Sequence, residues 1–145
     1  MRTYNVIFQI SRYILIVLFI YTGVSKFIGY YLFLSQLSDI IFLQKMAGFI
    51  SIFIPLIEIA AGIALAFQKT EIIGWWLCAV LLSGFSIYVS MMLLFAPHLP
   101  CSCGGIIAAL SWTQHLIINI LLGFICWIKL YRHYLISKFS MHTRE

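Results

Sequence analysis

Charged side chains are scarce in this chain of 145 residues: Asp, Glu, Lys and Arg together make up 9%, whereas 63% of the residues are hydrophobic. Soluble domains are typically about half apolar and about a quarter charged. The shortage of charge therefore excludes an ordinary water-soluble domain. The formal net charge of +5 needs only the anionic lipid of a bilayer as a partner, and no run of basic residues indicates a nucleic-acid partner.

The longest uncharged stretch, from Ile72 to Ile128, contains no Asp, Glu, Lys or Arg. One helical crossing of a bilayer needs about 20 apolar residues, so this stretch is long enough for two. Two prolines and two glycines within 97–105 favour a break there. The sequence therefore predicts an all-α fold, an integral membrane four-helix bundle that forms a single domain over residues 1–145. Its predicted spans are about 13–34, 46–68, 72–95 and 106–128, followed by a basic cytoplasmic tail at 129–145.

Basic residues indicate the orientation, because lysine and arginine are retained on the cytoplasmic side of a membrane. Of nine basic residues only two fall on the other side: Lys26 at the outer end of the first span and Lys45 just before the second. The other seven lie before the first span, between the second and third, or after the fourth. We therefore expect both termini in the cytoplasm and the segment between the third and fourth spans outside. The first span is expected to be retained, since no small-x-small cleavage site follows its apolar core.

The sequence also predicts how the spans pack. Small residues in the second and third spans, such as Gly62 and Gly74, allow helices to approach closely in lipid. The first external segment, 28–45, mixes apolar and polar residues and is typical of a helix at the membrane interface. We expect a compact bundle with one interfacial helix.

The four cysteines fall at two depths. Cys78 and Cys126 lie inside spans, near their cytoplasmic ends, and are interpreted as small packing residues. Cys101 and Cys103 lie in the external segment, where an oxidising compartment lets disulfides persist. A bridge across one intervening residue closes a small, strained ring that is easily reduced. With His98 nearby to stabilise a thiolate, these three residues are the candidate catalytic group for thiol–disulfide exchange.

Two other interpretations fit the same residues. A bridge between the external cysteines would pin the turn without exchanging, although so short a loop gains little stability from closure. The same region would also suit Cu(I), since the side chains of Cys101, Cys103 and His98 are soft or borderline ligands. Met91 and Met92 lie about one to two turns below them. A structural zinc site is not indicated, because the usual four ligands in spaced pairs are missing from the sequence.

Polar residues inside the spans form a second candidate site. Glu58 lies in the middle of the second span, where a bare carboxylate costs at least about 2.5 kcal/mol, so it should be protonated or buried against partners. Gln114, His115 and Asn119 occupy the outer half of the fourth span, and the last two share a helical face. We expect one hydrogen-bonded cluster. Glu58 and His115 either pack the helices, bonded to neighbouring Ser, Tyr or His, or act in proton transfer or quinone contact. His115 and Asn119, with Trp112, are also expected to hold the external loop. Lys26 is expected to extend to the headgroups, with an ion pair to Glu58 as the alternative.

Three segments carry a resemblance to a known family. They are Thr-Gly-Val-Ser-Lys-Phe at 22–27, Pro-Leu-Ile-Glu at 55–58 followed by Gly62, and Pro-Cys-Ser-Cys-Gly-Gly at 100–105 followed by Ser-Trp-Thr-Gln-His at 111–115 and Asn119. Through them the chain resembles, over nearly its whole length, the MauE branch of the DoxX-like membrane proteins. The resemblance implies a four-helix bundle in a bacterial cytoplasmic membrane. It also implies a thioredoxin-like partner and a role in disulfide formation or electron delivery during maturation of exported proteins.

In outline the chain is also similar to the DsbB and vitamin K epoxide reductase class, whose helical bundles pass electrons from loop cysteines to a quinone. Those proteins use a Cys-x-x-Cys pair and usually a second external pair, whereas this chain has one external Cys-x-Cys. A quinone is therefore not firmly implied as a cofactor, and we expect direct exchange with a separate redox protein. The alternative function is a non-catalytic subunit of a larger membrane complex.

Overall fold

The computed structural model describes residues 2–40, 43–95 and 111–142. All regular elements in these ranges are helical, as the sequence predicts. The α-helices are α1 (Arg2–Ile28), α2 (Tyr30–Ser38), α3 (Ala47–Ala66), α4 (Glu71–Phe95) and α5 (Trp112–His142), and a 3₁₀ turn (Gln44–Met46) leads into α3.

Four of these helices are long and apolar enough to cross a membrane, over Val6–Ile28, Gln44–Ala66, Glu71–Leu94 and Trp112–Lys138. The middle two differ by only a few residues from the predicted spans at 46–68 and 72–95. The predicted first span at 13–34 is instead divided between α1 and α2. A helix of 27 residues extends about 40 Å and already exceeds the roughly 30 Å of a hydrocarbon core.

The fourth membrane-spanning helix, α5, extends beyond residue 128, the predicted end of the fourth span. Most of the predicted tail continues α5 as far as His142, because Leu130 is buried against the bundle and no proline interrupts the helix. The predicted start of this span, at 106, lies outside the described residues.

The helices pack in chain order: α1 lies against α3, α3 against α4, and α4 against α5, with a smaller contact between α1 and α5 that closes the bundle. The centre is filled by buried apolar residues, including Leu15, Phe19, Leu65, Trp75 and Leu82. Large apolar side chains also cover the outside of all four long helices. Such a surface is stable against lipid tails rather than against water.

Two glycines set the distance between α1 and α3. A Cβ atom at Gly23 would lie 2.7 Å from Ile59 Cγ1 and 2.9 Å from the Pro55 carbonyl oxygen, and one at Gly62 would lie 2.7 Å from Ile20 Cγ1. Any side chain at these positions would push the helices apart. The close approach that small residues predict is thus present.

Charged residues join all four long helices at one end of the bundle, called here the basic end. The Arg12 guanidinium donates to the carbonyl oxygens of Leu65 (2.6 Å) and Ala66 (3.1 Å), which have no partners within α3. Arg12 also contacts Glu71 at the start of α4, and Lys129 of α5 lies 3.4 Å from the same carboxylate. The beginning of α1 and the later part of α5 therefore share one end, as four spans require.

Candidate functional site

A cavity of about 240 Å³ lies in the half of the bundle remote from the basic end. Residues of all five α-helices line it, so its shape depends on the whole bundle. Its polar lining residues are Thr22, Ser25, Lys26, Gln36, Glu58, Tyr88, His115 and Asn119. The remaining wall is mainly leucine, valine and aromatic side chains. The cavity brings together most of the polar residues that the sequence places inside the membrane.

The cavity contains a buried ion pair. Lys26 Nζ of α1 donates to Glu58 Oε1 of α3, and the exposed fractions of the two side chains are 22% and 1%. The ammonium group also lies 4.9 Å from the centre of the Phe85 ring and 5.7 Å from that of Phe33, within cation–π range. The expectation that Lys26 extends to the headgroups is therefore wrong. Its alternative is correct, because a carboxylate so deep in the bundle needs a counter-ion.

The second oxygen of the Glu58 carboxylate has no such partner. Oε2 is buried and accepts no hydrogen bond from the described residues. The Thr22 side chain is within hydrogen-bonding reach of the carboxyl group, but its hydroxyl donates to the Phe19 carbonyl oxygen at 3.3 Å. A buried acceptor left without a donor costs about 1–3 kcal/mol, and more if it is charged. Glu58 therefore lines the cavity with a carboxyl group that has one oxygen without a donor from the described residues.

His115 and Asn119 line the cavity together from the first two turns of α5, consistent with their spacing of one helical turn. Gln114 does not join them. Its side-chain oxygen accepts from the Ser111 N–H at 2.9 Å, and its own N–H donates to Ser111 Oγ at 3.3 Å. This reciprocal pair is a capping box, so Gln114 defines where α5 begins.

The candidate catalytic residues Cys101, Cys103 and His98 lie outside the described residues. The helices on either side of them are described: α4 ends at Phe95 and α5 begins at Trp112. Val89 and Trp112, near these two ends, line the cavity. The polar cavity therefore lies at the end of the bundle where α4 ends and α5 begins, and the candidate cysteines stand between these two points in the sequence.

The copper interpretation also depends largely on residues that are not described. Of its proposed ligands only Met91 and Met92 belong to the described part of α4, and Met91 is 51% exposed. Within the described ranges no three or more His, Cys, Asp or Glu residues are grouped so that they could bind a metal ion. The described part of the chain gives the copper hypothesis no further support.

Cys78 and Cys126 are free thiols and are fully buried. Both belong to the apolar cluster at the centre of the bundle. Their interpretation as packing residues is confirmed.

Several cavity residues were not predicted from the sequence. Thr22 lies three residues before Ser25 and four before Lys26, so the helical period could have placed the three along one stripe of α1. Gln36 belongs to the segment that predicts an interfacial helix; that helix is present as α2 and forms a wall of the cavity. Tyr88 has no distinguishing signal, since tyrosine is common near the ends of membrane spans.

The fold and the cavity define a class: a multi-pass helical membrane protein with a polar, ion-paired site between its helices. The chain belongs to the MauE family, described as methylamine utilisation protein MauE, whose family model matches residues 4–132. No curated protein and no solved structure matches the chain.

Proposed function

We propose that this MauE-family protein is a thiol–disulfide redox protein of the bacterial inner membrane. Cys101 and Cys103 exchange with a thioredoxin-like protein outside the cytoplasm, during the maturation of exported proteins used in methylamine utilisation, the process in the family's name. The observation that supports this most directly is the position of the Cys-x-Cys pair. The pair stands in the sequence segment between the end of α4 and the start of α5, and both of these helix ends are opposite the basic end.

The geometry of α4 supports an external position for that segment. Glu71 begins α4 at the basic end, and the 25 residues of the helix extend about 37 Å, more than the thickness of a hydrocarbon core. The basic residues at or beyond the basic end are Arg12, Lys69, Lys129, Arg132 and Lys138. Such an excess marks the cytoplasmic side. The cysteines are then on the oxidising side, where a reversible disulfide can operate.

The exchange has two steps. The thiolate of one loop cysteine attacks the partner's disulfide, forms a mixed disulfide and releases one partner thiolate. The second loop cysteine then attacks the sulfur of the first, forms the Cys101–Cys103 bond and releases the second partner thiolate. Two thiols of this protein become a disulfide while the partner's disulfide becomes a dithiol; electrons flow the other way when the steps are reversed.

The residues around the pair have supporting roles in this proposal. His98 stabilises the attacking thiolate. Trp112, His115 and Asn119, at the start of α5, support the loop against the bundle. Glu58, paired with Lys26 in the cavity, accepts or releases the accompanying protons.

A redox titration of the purified, full-length protein tests the proposal. The protein is equilibrated in glutathione buffers of graded ratio, its free thiols are alkylated, and its mass is measured. We expect two thiols to titrate together under mild buffers. Cys101→Ser and Cys103→Ser should each abolish the internal disulfide and leave a glutathione adduct on the remaining cysteine.

The buried cysteines provide the matched control, and Cys78→Ala with Cys126→Ala should leave the titration unchanged. A pair that stays bridged in every mild buffer would contradict exchange. It would favour the alternative, a structural bridge in a non-catalytic subunit of a larger membrane complex.

A further inference from the structure

The unused oxygen of Glu58 points to a ligand. Its carboxylate is charge-compensated by Lys26 through Oε1, yet Oε2 remains buried without a donor from the described residues. The side chain is 1% exposed, so bulk water does not satisfy this oxygen. Because buried acceptors in folded proteins are nearly always hydrogen-bonded, a molecule in the cavity is the natural source of the donor.

The charge of the cavity limits what that molecule is. A cation would be repelled by Lys26, whose ammonium already occupies the other carboxylate oxygen and lies over the rings of Phe33 and Phe85. An anion would be repelled by Glu58. The pair as a whole is neutral, so a neutral molecule with a hydroxyl group fits best.

The walls and the volume limit it further. Phe33, Phe85, Tyr88 and Trp112 line the cavity, and aromatic side chains favour a flat ring against their faces and edges. The volume of about 240 Å³ lies below the roughly 300–1,000 Å³ of pockets for drug-sized ligands. One substituted ring suits this space better than a larger molecule.

We propose that the cavity is a binding site for a neutral hydroxyaromatic molecule of the membrane hydroquinone class, whose hydroxyl group donates to Glu58 Oε2. This inference goes beyond the exchange at Cys101 and Cys103 and does not depend on it. The ring lies among the aromatic side chains at the outer half of the bundle. His115 and Asn119 of α5 provide further polar groups in the lining.

Binding of two matched probes to the wild-type protein tests the class of ligand. The probes are a decyl-substituted 1,4-benzohydroquinone, kept reduced under anaerobic conditions, and its dimethyl ether, which has no hydroxyl donors. Binding is followed through the thermal unfolding of the protein in detergent micelles. We expect saturable stabilisation by the hydroquinone and an affinity at least about tenfold lower for the ether, since the ether leaves the acceptor unpaired.

Two neighbouring substitutions on α1 test the place. Ser25→Phe fills the cavity, whereas Val24→Phe adds the same ring at a position that is 43% exposed on the outside of the helix. We expect Ser25→Phe to abolish saturable binding and Val24→Phe to retain it, both with unchanged helical circular dichroism. A Cys101→Ser, Cys103→Ser double variant should bind the hydroquinone normally, which separates this inference from the thiol exchange.

Equal affinity for the two probes would show an apolar occupant, such as a lipid acyl chain, and would overturn the proposal. Failure of the wild-type protein to bind either probe would also overturn it. Undiminished binding by a folded Ser25→Phe variant would place the ligand elsewhere, with the same consequence.

Discussion

Lys26 on α1 and Glu58 on α3 form an ion pair beside a close, glycine-mediated contact between those two helices. Gly23 lies three residues before Lys26, and Gly62 lies four residues after Glu58, so each charged residue shares a helical face with a glycine of the contact. The glycines bring the helix backbones together, and the charged side chains meet at the adjacent cavity. Close packing and charge compensation therefore depend on the same helix pair.

The first prediction concerns this ion pair. Glu58→Gln and Lys26→Met should each lower the free energy of unfolding by about 3 kcal/mol, because removing one partner leaves the other charge buried and uncompensated. The double variant should lose less than the sum of the two, with a coupling of about 1–3 kcal/mol. Unfolding in mixed micelles, titrated with a denaturing detergent, measures these values. Strictly additive losses would show that the two residues do not interact.

The second prediction concerns the contact itself. Gly23→Ala should destabilise the protein by about 1–3 kcal/mol, because the new Cβ meets the backbone oxygen of Pro55, which cannot rotate away. Gly84→Ala is the matched control, since a Cβ there meets nothing within 4 Å. It should be neutral or stabilising by up to about 1 kcal/mol through its higher helix propensity. Equal effects of the two substitutions would contradict the close packing of α1 on α3.

The third prediction concerns the basic end. Arg12→Gln should lower the free energy of unfolding by about 1–3 kcal/mol, because two carbonyl oxygens at the end of α3 lose a charged donor. Arg12→Lys should recover only part of the loss, since an ammonium group lacks the planar fork that reaches both oxygens. The control is Lys69→Gln at an exposed position, where little change is expected. A similar loss at both positions would indicate a general effect of charge.

Particular residues show how far the sequence alone predicts this structure. The bundle, its four crossings and the close α1–α3 contact follow from apolar length and from small residues, which act locally. The partner of Lys26 could not be predicted from the sequence. Either the lipid headgroups or Glu58 would compensate its charge, and only the packing of α1 on α3 decides between them. The role of Gln114 does not follow from the sequence either. Its position beside His115 predicts a shared cluster, whereas its capping bonds with Ser111 mark the start of α5.

The fourth prediction concerns the cysteines that are not expected to exchange. After mild reduction, the folded protein should take up two equivalents of a maleimide reagent, and four only after denaturation, because Cys78 and Cys126 have no exposed surface. Alkylation followed by intact-mass measurement gives the count. Rapid modification of four thiols in the folded protein would contradict the packing of α4 on α5.

Labelling of intact cells measures whether Cys101 and Cys103 meet an oxidising exterior. Cells expressing the full-length protein are reduced gently and treated with a membrane-impermeant maleimide, and a Thr70→Cys variant lacking both loop cysteines marks the basic end. We expect labelling of the loop cysteines in intact cells and labelling of the Thr70→Cys variant only after the membrane is permeabilised. The opposite pattern would place the loop cysteines in the cytoplasm and remove the basis for the exchange.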